Sequence, residues 1–220
     1  AKLLSEPHNT LVRVCGALNA SNVCRIPMIL FHQYCVDDRR DHRDSPAMLQ
    51  SIQSSFPEAQ AQVIAESNTQ RIYWPLPAKK PLVSIIIPAH NQEALTHACI
   101  DSILTKTTYD NFQVILIDNR SDDLMMLAYL EALTGHPRVE VISDPRPFNF
   151  SALNNRAVKM CKGEVLLFLN NDTEVINADW LTEMACQATR HDIGCVGAKL
   201  YFTDGRIQHG GVIVGYGGVA

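Results

Sequence analysis

The first strongly hydrophobic run of this chain is followed by no glycine. Residues 82–88, "LVSIIIP", read as a strand buried on both faces, and the turn after it is "PAHNQE". A dinucleotide-binding turn needs G-x-G-x-x-G there, so that backbone can close on a pyrophosphate. No G-x-x-x-x-G-K-[ST] occurs anywhere, so a P-loop is excluded as well. Long apolar runs are also lacking: "LVSIII" and "VLLFL" fall far short of the ~20 residues that cross a bilayer. "AKLLSEPHNT" at the start has no long apolar stretch of the signal-peptide kind. Positive charge is not in excess, with 19 Lys and Arg against 23 Asp and Glu and a net charge of -4. The densest charged cluster, "DDRRDHRD", cancels its own signs, which gives no support for a nucleic-acid partner. None of the seven cysteines (Cys15, Cys24, Cys35, Cys99, Cys161, Cys186, Cys195) forms a CxxC pair. Their odd number and scatter argue against zinc and point to buried free thiols in a reducing cytoplasm.

What is present describes an ordinary globular chain of 220 residues, 46% hydrophobic and 19% charged, able to bury a core. "WPLPAKKPLVS" carries three prolines and two lysines and reads as a linker. Residues 1–80 before it read as a small, irregular α+β extension. "AMLQSIQSSF" is a short helix there, "AQVIAES" and "QRIYW" are two strands, and "VCRIPMILFHQYCV" is apolar and aromatic. After the linker, strand and helix patterns alternate. Strands are expected at 82–88, 112–118 ("FQVILID"), 138–142 ("RVEVI"), in "EVLLFLN" and in "IGCVGAKL". Between them lie helices in "QEALTHACIDSILTKT", with Leu95, Ala98, Cys99, Ser102 and Ile103 on one face, in "DDLMMLAYLEAL", in "SALNNRAVKMCKG" and in "ADWLTEMACQATR". Gly163 reads as the C-terminal stop of the third of these helices, and "DG" at 204–205 as a hairpin turn. Such alternation predicts an α/β fold with a mostly parallel sheet flanked by helices.

Ligands of open parallel sheets bind beyond the carboxyl ends of the strands. Here the first strand ends in Pro88, Ala89, His90, Asn91, the second in Asp118, Asn119, Arg120, Ser121, and the fourth in Asn170, Asn171, Asp172. With no glycine loop or P-loop lysine, a bound nucleotide's charge is most simply met by a divalent cation on carboxylate oxygen, and Asp172 is well placed for it. Each residue also has a plainer reading. Asp118 or Asn91 can cap the helix that follows, "SDD" at 121–123 is a natural helix start, and Asp172 can be a turn residue. Trp180 reads as a core anchor, and the lone His209 as structural.

At these residues the chain resembles a known family. "PLVSIIIPAHN", "VILIDNRSDD", "FNFSALNNRAV…KGEVLLFLNNDTEVI…DWL" and "VGAKLYFTDGRIQHGGVIVG" are similar to family 2 glycosyltransferases of the GT-A fold, nearest to bacterial, rhamnosyltransferase-like members that build polysaccharides. The likeness covers about residues 81–220. It implies that "NND" (170–172) stands at the family's D-x-D motif, where Mn²⁺ or Mg²⁺ and the donor diphosphate bind. Asp172 matches the metal-binding acid, with Asn170 in place of the commoner aspartate and Asn171 between them. Asp118 matches the acid that recognises the base, while Pro88, His90 and Asn91 match the loop packing on base and ribose. Asn149 and Asn154 fall in the segment lining the donor site.

The implied reaction is inverting transfer from a UDP-, dTDP- or GDP-linked sugar to a glycan or lipid-linked saccharide. The implied place is the cytoplasm, with peripheral contact at the inner face of the bacterial inner membrane. The acidic motif that supplies the general base is expected beyond Ala220, so residues 81–220 read as a GT-A domain without its acceptor part. "CRIPMILFHQY" is similar to the stretch that follows a preceding transferase domain in multi-domain members. Two other functions fit the residues: a nucleotide-sugar-binding module without turnover, and a nucleotidyltransferase, though the latter normally carries a glycine-rich loop.

Overall fold

The computed structural model describes residues 46–64, 69–191 and 193–211. The expectations for "VCRIPMILFHQYCV", for Cys15, Cys24 and Cys35, and for the end of "RIQHGGVIVG" lie outside the described residues. In chain order the first elements are α1 (Pro46–Ser55), β1 (Gln60–Ile64), β2 (Thr69–Tyr73), β3 (Val83–Ala89), α2 (Glu93–Lys106) and β4 (Phe112–Asp118). They are followed by α3 (Leu124–Leu133), β5 (Val139–Ser143), α4 (Phe150–Val158), β6 (Val165–Phe168), α5 (Trp180–Ala188), β7 (Leu200–Tyr201) and β8 (Ile207–His209). The described residues fall into two compact units, Leu76–Gly197 and the remainder.

In the smaller unit β1 and β2 pair antiparallel, Gln60 opposite Tyr73. Phe56 packs edge-on against Trp74 with ring centroids 5.4 Å apart. β7 and β8 form a hairpin closed by the expected turn, where Gly205 takes φ +84°. Asp204 accepts from the Arg206 backbone and guanidinium on the same turn.

The larger unit is built on a four-stranded parallel sheet in the order β5-β4-β3-β6. β3 and β4 are central because β-branched and leucine side chains occupy both of their faces, which suits strands covered on two sides. One face carries Val83, Ile85, Ile87, Val114, Leu116 and Leu167 and packs against α2 (Cys99, Ile100, Ile103), α3 (Met126, Leu130) and α5 (Leu181, Ala185). The other face carries Ile86, Ile115 and Ile117, which pack against α4 through Leu153 and Ala157. Each fully buried Ile or Leu contributes roughly 1.5–3 kcal/mol relative to exposure. Trp180 anchors the α5 end, its Nε1 donating to Thr107 Oγ1 at 3.0 Å. Asp123 and Asn149 cap α3 and α4 by accepting from the backbone of Met126 and Ala152. The described cysteines are free thiols: Cys99 and Cys186 buried, Cys161 half-buried, Cys195 exposed.

Three expectations are corrected. Residues 193–199 form no strand, so "IGCVGAKL" adds none to the sheet; Gly194 and Gly197 leave the run without side chains to pack, and pairing begins only at Leu200. Leu95 is 47% exposed, and the buried face of α2 runs instead through Thr96, Cys99, Ile100, Ser102 and Ile103. Gly163 does not stop α4, which ends at Val158 with Lys159 as its cap. It lies against β3, donating its N–H to Ser84 Oγ at 2.9 Å.

Candidate active site at the carboxyl edge of the sheet

The chain runs from β3 outward to β4 and β5, then returns to the far side of β3 for β6. The order therefore reverses at β3 and β6, and it is beyond the carboxyl ends at such a reversal that open parallel sheets bind their ligands. The segments leaving β3, β4 and β6 bring His90, Asn91, Asp118, Asn170 and Asp172 to this edge.

Leu169 donates to Ile86 O, extending the β6 pairing by one residue, and the next three residues leave the sheet. Asn171 turns back onto α2, its Nδ2 donating to Thr96 Oγ1 at 3.0 Å. Asn170 O accepts from Thr173 Oγ1 at 2.8 Å and, more loosely, from the Cys99 thiol at 3.7 Å. Further along, Ser102 Oγ accepts from Val175 N at 3.0 Å, and Lys106 Nζ donates to Val175 O at 2.9 Å. Thr96, Cys99, Ser102 and Lys106 recur every three or four residues, hence on one face of α2, where they form a polar rail for 170–175. With Asn171 held inward, Asn170 and Asp172 on either side of it are exposed, and their side-chain oxygens meet no donor among the described residues.

A hard divalent ion suits this pair, since Mg²⁺ and Mn²⁺ prefer oxygen ligands and commonly share one or two carboxylates with a substrate's phosphates. No group of three or more His, Cys, Asp or Glu side chains able to hold a metal occurs among the described residues. The residues fit a cation completed by the ligand rather than one caged by protein.

Asp118 ends β4 and is 7% exposed. Its Oδ1 accepts from Ser121 N at 3.0 Å, and no donor reaches Oδ2 among the described residues. A carboxylate oxygen with a free lone pair is suited to accept an N–H from a ligand. Pro88 and Ala89 lie beside Ile117 and Asp118 in register. His90 is exposed, with Nδ1 2.9 Å from Asn119 O; a carbonyl only accepts, so Nδ1 carries the proton and Nε2 is left as an acceptor.

Asn119 straps the next strand end, its Nδ2 donating to Asp144 O at 2.9 Å and Arg146 O at 2.8 Å. Asp144 in turn binds two guanidiniums: Arg146 through Nε and Nη2, each at 2.9 Å, and Arg156 of α4 at 2.6 Å. The Arg146 side chain first, and Arg156 after it, hold the Asp144 carboxyl well below the usual carboxylate range, against burial that opposes this. A pKa lowered on folding means that ionised Asp144 stabilises the fold fully above about pH 4, its unfolded value, and less as pH falls toward its folded value. The difference in Tm between wild type and Asp144→Asn is therefore expected to stay constant between pH 7 and 5 and to narrow below about pH 4. Thermal scans across that range check it; a gap unchanged down to pH 3 would refute the ion-pair account.

Asn154 is buried on α4, with Nδ2 donating to Phe150 O and Oδ1 left without a donor. Asn149 is a helix cap. Asn171 points into the protein rather than outward at this edge. Asp144, Arg146 and Arg156 were not among the expected site residues; "SDPRPFNFSALNNR" places an acid and two arginines in one segment, but only the fold brings them together.

The sequence model described as glycosyl transferase family 2 matches residues 84–211, more than half of the chain. The chain is 50% identical over 151 residues, 68% of its length, to "Uncharacterized protein y4gI" of Sinorhizobium fredii, of which it covers 16%. It is 44% identical over 140 residues, 64% of its length, to the O-antigen biosynthesis protein RfbC of Myxococcus xanthus, of which it covers 11%. The chain thus spans less than a fifth of these two relatives. Among solved structures it is similar to the mannosyltransferase PcManGT of Pyrobaculum calidifontis, at 21% identity and TM-score 0.49, over 55% of this chain and 36% of that one.

Proposed function

Because the chain belongs to glycosyl transferase family 2, we propose that the carboxyl edge of its sheet binds a nucleoside-diphosphate sugar for transfer to a growing polysaccharide. The observation that carries this reading is the outward pair Asn170 and Asp172, held by α2 beyond β6, with the free Asp118 oxygen two strands away. Two strand spacings come to about 10 Å. A nucleotide lying across the end of β3 would place its base N–H at Asp118 and its diphosphate at 170–172. His90 and Pro88 are then beside base and ribose. Asp172, with Asn170 Oδ1 as a neutral second ligand, would hold Mn²⁺ or Mg²⁺ there. When bound, the cation supplies positive charge opposite the departing diphosphate.

The chemistry proposed is inverting. An acceptor hydroxyl forms a bond to the anomeric carbon from the face opposite the leaving group, the bond to the donor phosphate breaks, and the nucleoside diphosphate leaves. The described residues serve the donor, and the hydroxyl proton goes to a carboxylate outside this set. Homologue naming favours a glycan or lipid-linked saccharide as acceptor, and family membership favours sugar transfer over nucleotidyl transfer. No helix among the described residues is long and apolar enough to cross a membrane, which is compatible with action from the cytoplasmic side on a membrane-held acceptor.

The neutral Asn170 favours one second reading, a module that binds nucleotide sugar without turnover. Calorimetric titration of UDP, dTDP and GDP with and without Mn²⁺, followed by the corresponding sugar nucleotides and analysis of released nucleotide, separates the readings. Metal-dependent binding with release and an inverted product supports transfer. Binding without release supports the module, and no binding of any of the three overturns both.

A further inference from the structure

The resemblance sets Asn91 among the nucleotide contacts, but its amide is already occupied. Asn91 Oδ1 accepts from Asp122 N at 3.0 Å and Asp123 N at 3.1 Å. Its Nδ2 donates to Asp122 Oδ1 at 2.8 Å, and its backbone N–H donates to Ser121 Oγ at 2.9 Å. One residue at the end of β3 thus makes four hydrogen bonds to the segment leaving β4. Asn91 and Gln92 take φ 51° and 56°, and Arg120 across from them φ 65°, a left-handed conformation that side chains other than asparagine and aspartate seldom adopt. The two segments hold each other in a shape neither would keep alone.

Ser121 passes this constraint on. Its hydroxyl receives Asn91 N–H, while its own N–H fixes Asp118 Oδ1 and leaves Oδ2 free. We infer that Asn91 is a positioning residue: it latches the segment after β4 and, through Ser121, sets the rotation of the Asp118 carboxylate that receives the base. The inference rests on the proposed donor site, in which Asp118 touches the nucleotide and Asn91 does not.

Asn91→Gly removes the amide but suits the left-handed backbone, so the variant is expected to fold. Two measurements test it. Hydrogen exchange on the ligand-free protein is expected to show the Asp122 and Asp123 amides losing protection, and unchanged protection would overturn the latch. Titration with UDP, dTDP and GDP in Mn²⁺ is expected to show roughly ten-fold weaker binding for Asn91→Gly. The double variant with Asp118→Ala should bind no worse than Asp118→Ala alone, because both act at one carboxylate. Asn91→Asp combined with Asp122→Asn reverses the donor and acceptor of the latch and should restore affinity that Asn91→Asp alone loses.

Additive losses would mean that Asn91 meets the nucleotide itself, and an unaffected Asn91→Gly that the latch has no role in binding; either overturns the inference and leaves the donor site standing. An Asp118→Ala variant that binds as wild type would remove Asp118 from the donor site, and the inference with it.

Discussion

Asp172→Ala is expected to weaken nucleoside-diphosphate binding in Mn²⁺ on the order of 100-fold and to leave the weak metal-free binding unchanged. A carboxylate and a divalent ion a few ångströms apart attract by several kcal/mol even at an effective dielectric near 20, and dehydration of the exposed carboxylate returns part of that. Asp172 is the only charged member of the outward pair, so its loss leaves that pair without charge. Asp172→Asn keeps an oxygen ligand without charge and should fall between wild type and alanine. Asn170→Asp adds charge where the chain has an amide and should tighten Mn²⁺-dependent binding. Calorimetry on the three variants checks the order. A metal requirement that survives Asp172→Ala would move the cation away from 170–172.

The second large effect concerns stability. A Cβ on Gly163 would lie 2.5 Å from Ser84 Oγ and 2.7 Å from both Leu82 O and Ser84 N. Two of those three atoms are backbone where the chain enters β3, and they cannot move aside without disturbing the bond from Val165 N to Leu82 O and the parallel pairing of β3 with β4 and β6. The third would be driven off the hydrogen bond it makes with Gly163 N. Overpacking of this kind costs about 1–3 kcal/mol, with a lost buried hydrogen bond adding about 1 kcal/mol. For a chain of this size Gly163→Ala should lower Tm by roughly 5–15 °C. Gly135→Ala is the control for glycine loss as such, since nothing lies within 4 Å of its added Cβ although φ is +86°. Equal Tm losses in the two variants would remove the steric explanation.

Much of the sheet was legible because its residues leave one structural choice. "FQVILID" reads as a strand over 112–118 and forms one from Phe112 to Asp118, since five apolar side chains in seven, three of them β-branched, suit a doubly covered strand. Asp123 was open to a helix-start reading and caps α3. Gly163 was misread because glycine after a helical pattern usually ends a helix, while close approach to another strand depends on the sheet's register. "IGCVGAKL" has enough apolar residues to read as a strand, but its two glycines and the exposed Cys195 leave nothing to pack.

Within the site, the chain order showed which residues lie at the strand ends but not which way their side chains turn. Asn170, Asn171 and Asp172 look alike in a string; the hydroxyl of Thr96, 75 positions earlier, separates the middle one from its neighbours. The paired arginines on Asp144 were hidden for the same reason, since one of them reaches it from a helix.

The polar rail on α2 also gives this segment a built-in gauge. Cys99 lies beneath it with no exposed surface, and burial pushes its thiol up to about 11. At neutral pH the thiol is closed to an alkylating reagent in both senses, sterically and by protonation, so it reacts only when 170–175 lifts away. Its labelling rate, read against that of exposed Cys195, therefore counts those local openings directly. A ligand seated on Asn170 and Asp172 should slow it, turning a residue that touches nothing bound into a clock for how often the donor edge comes apart.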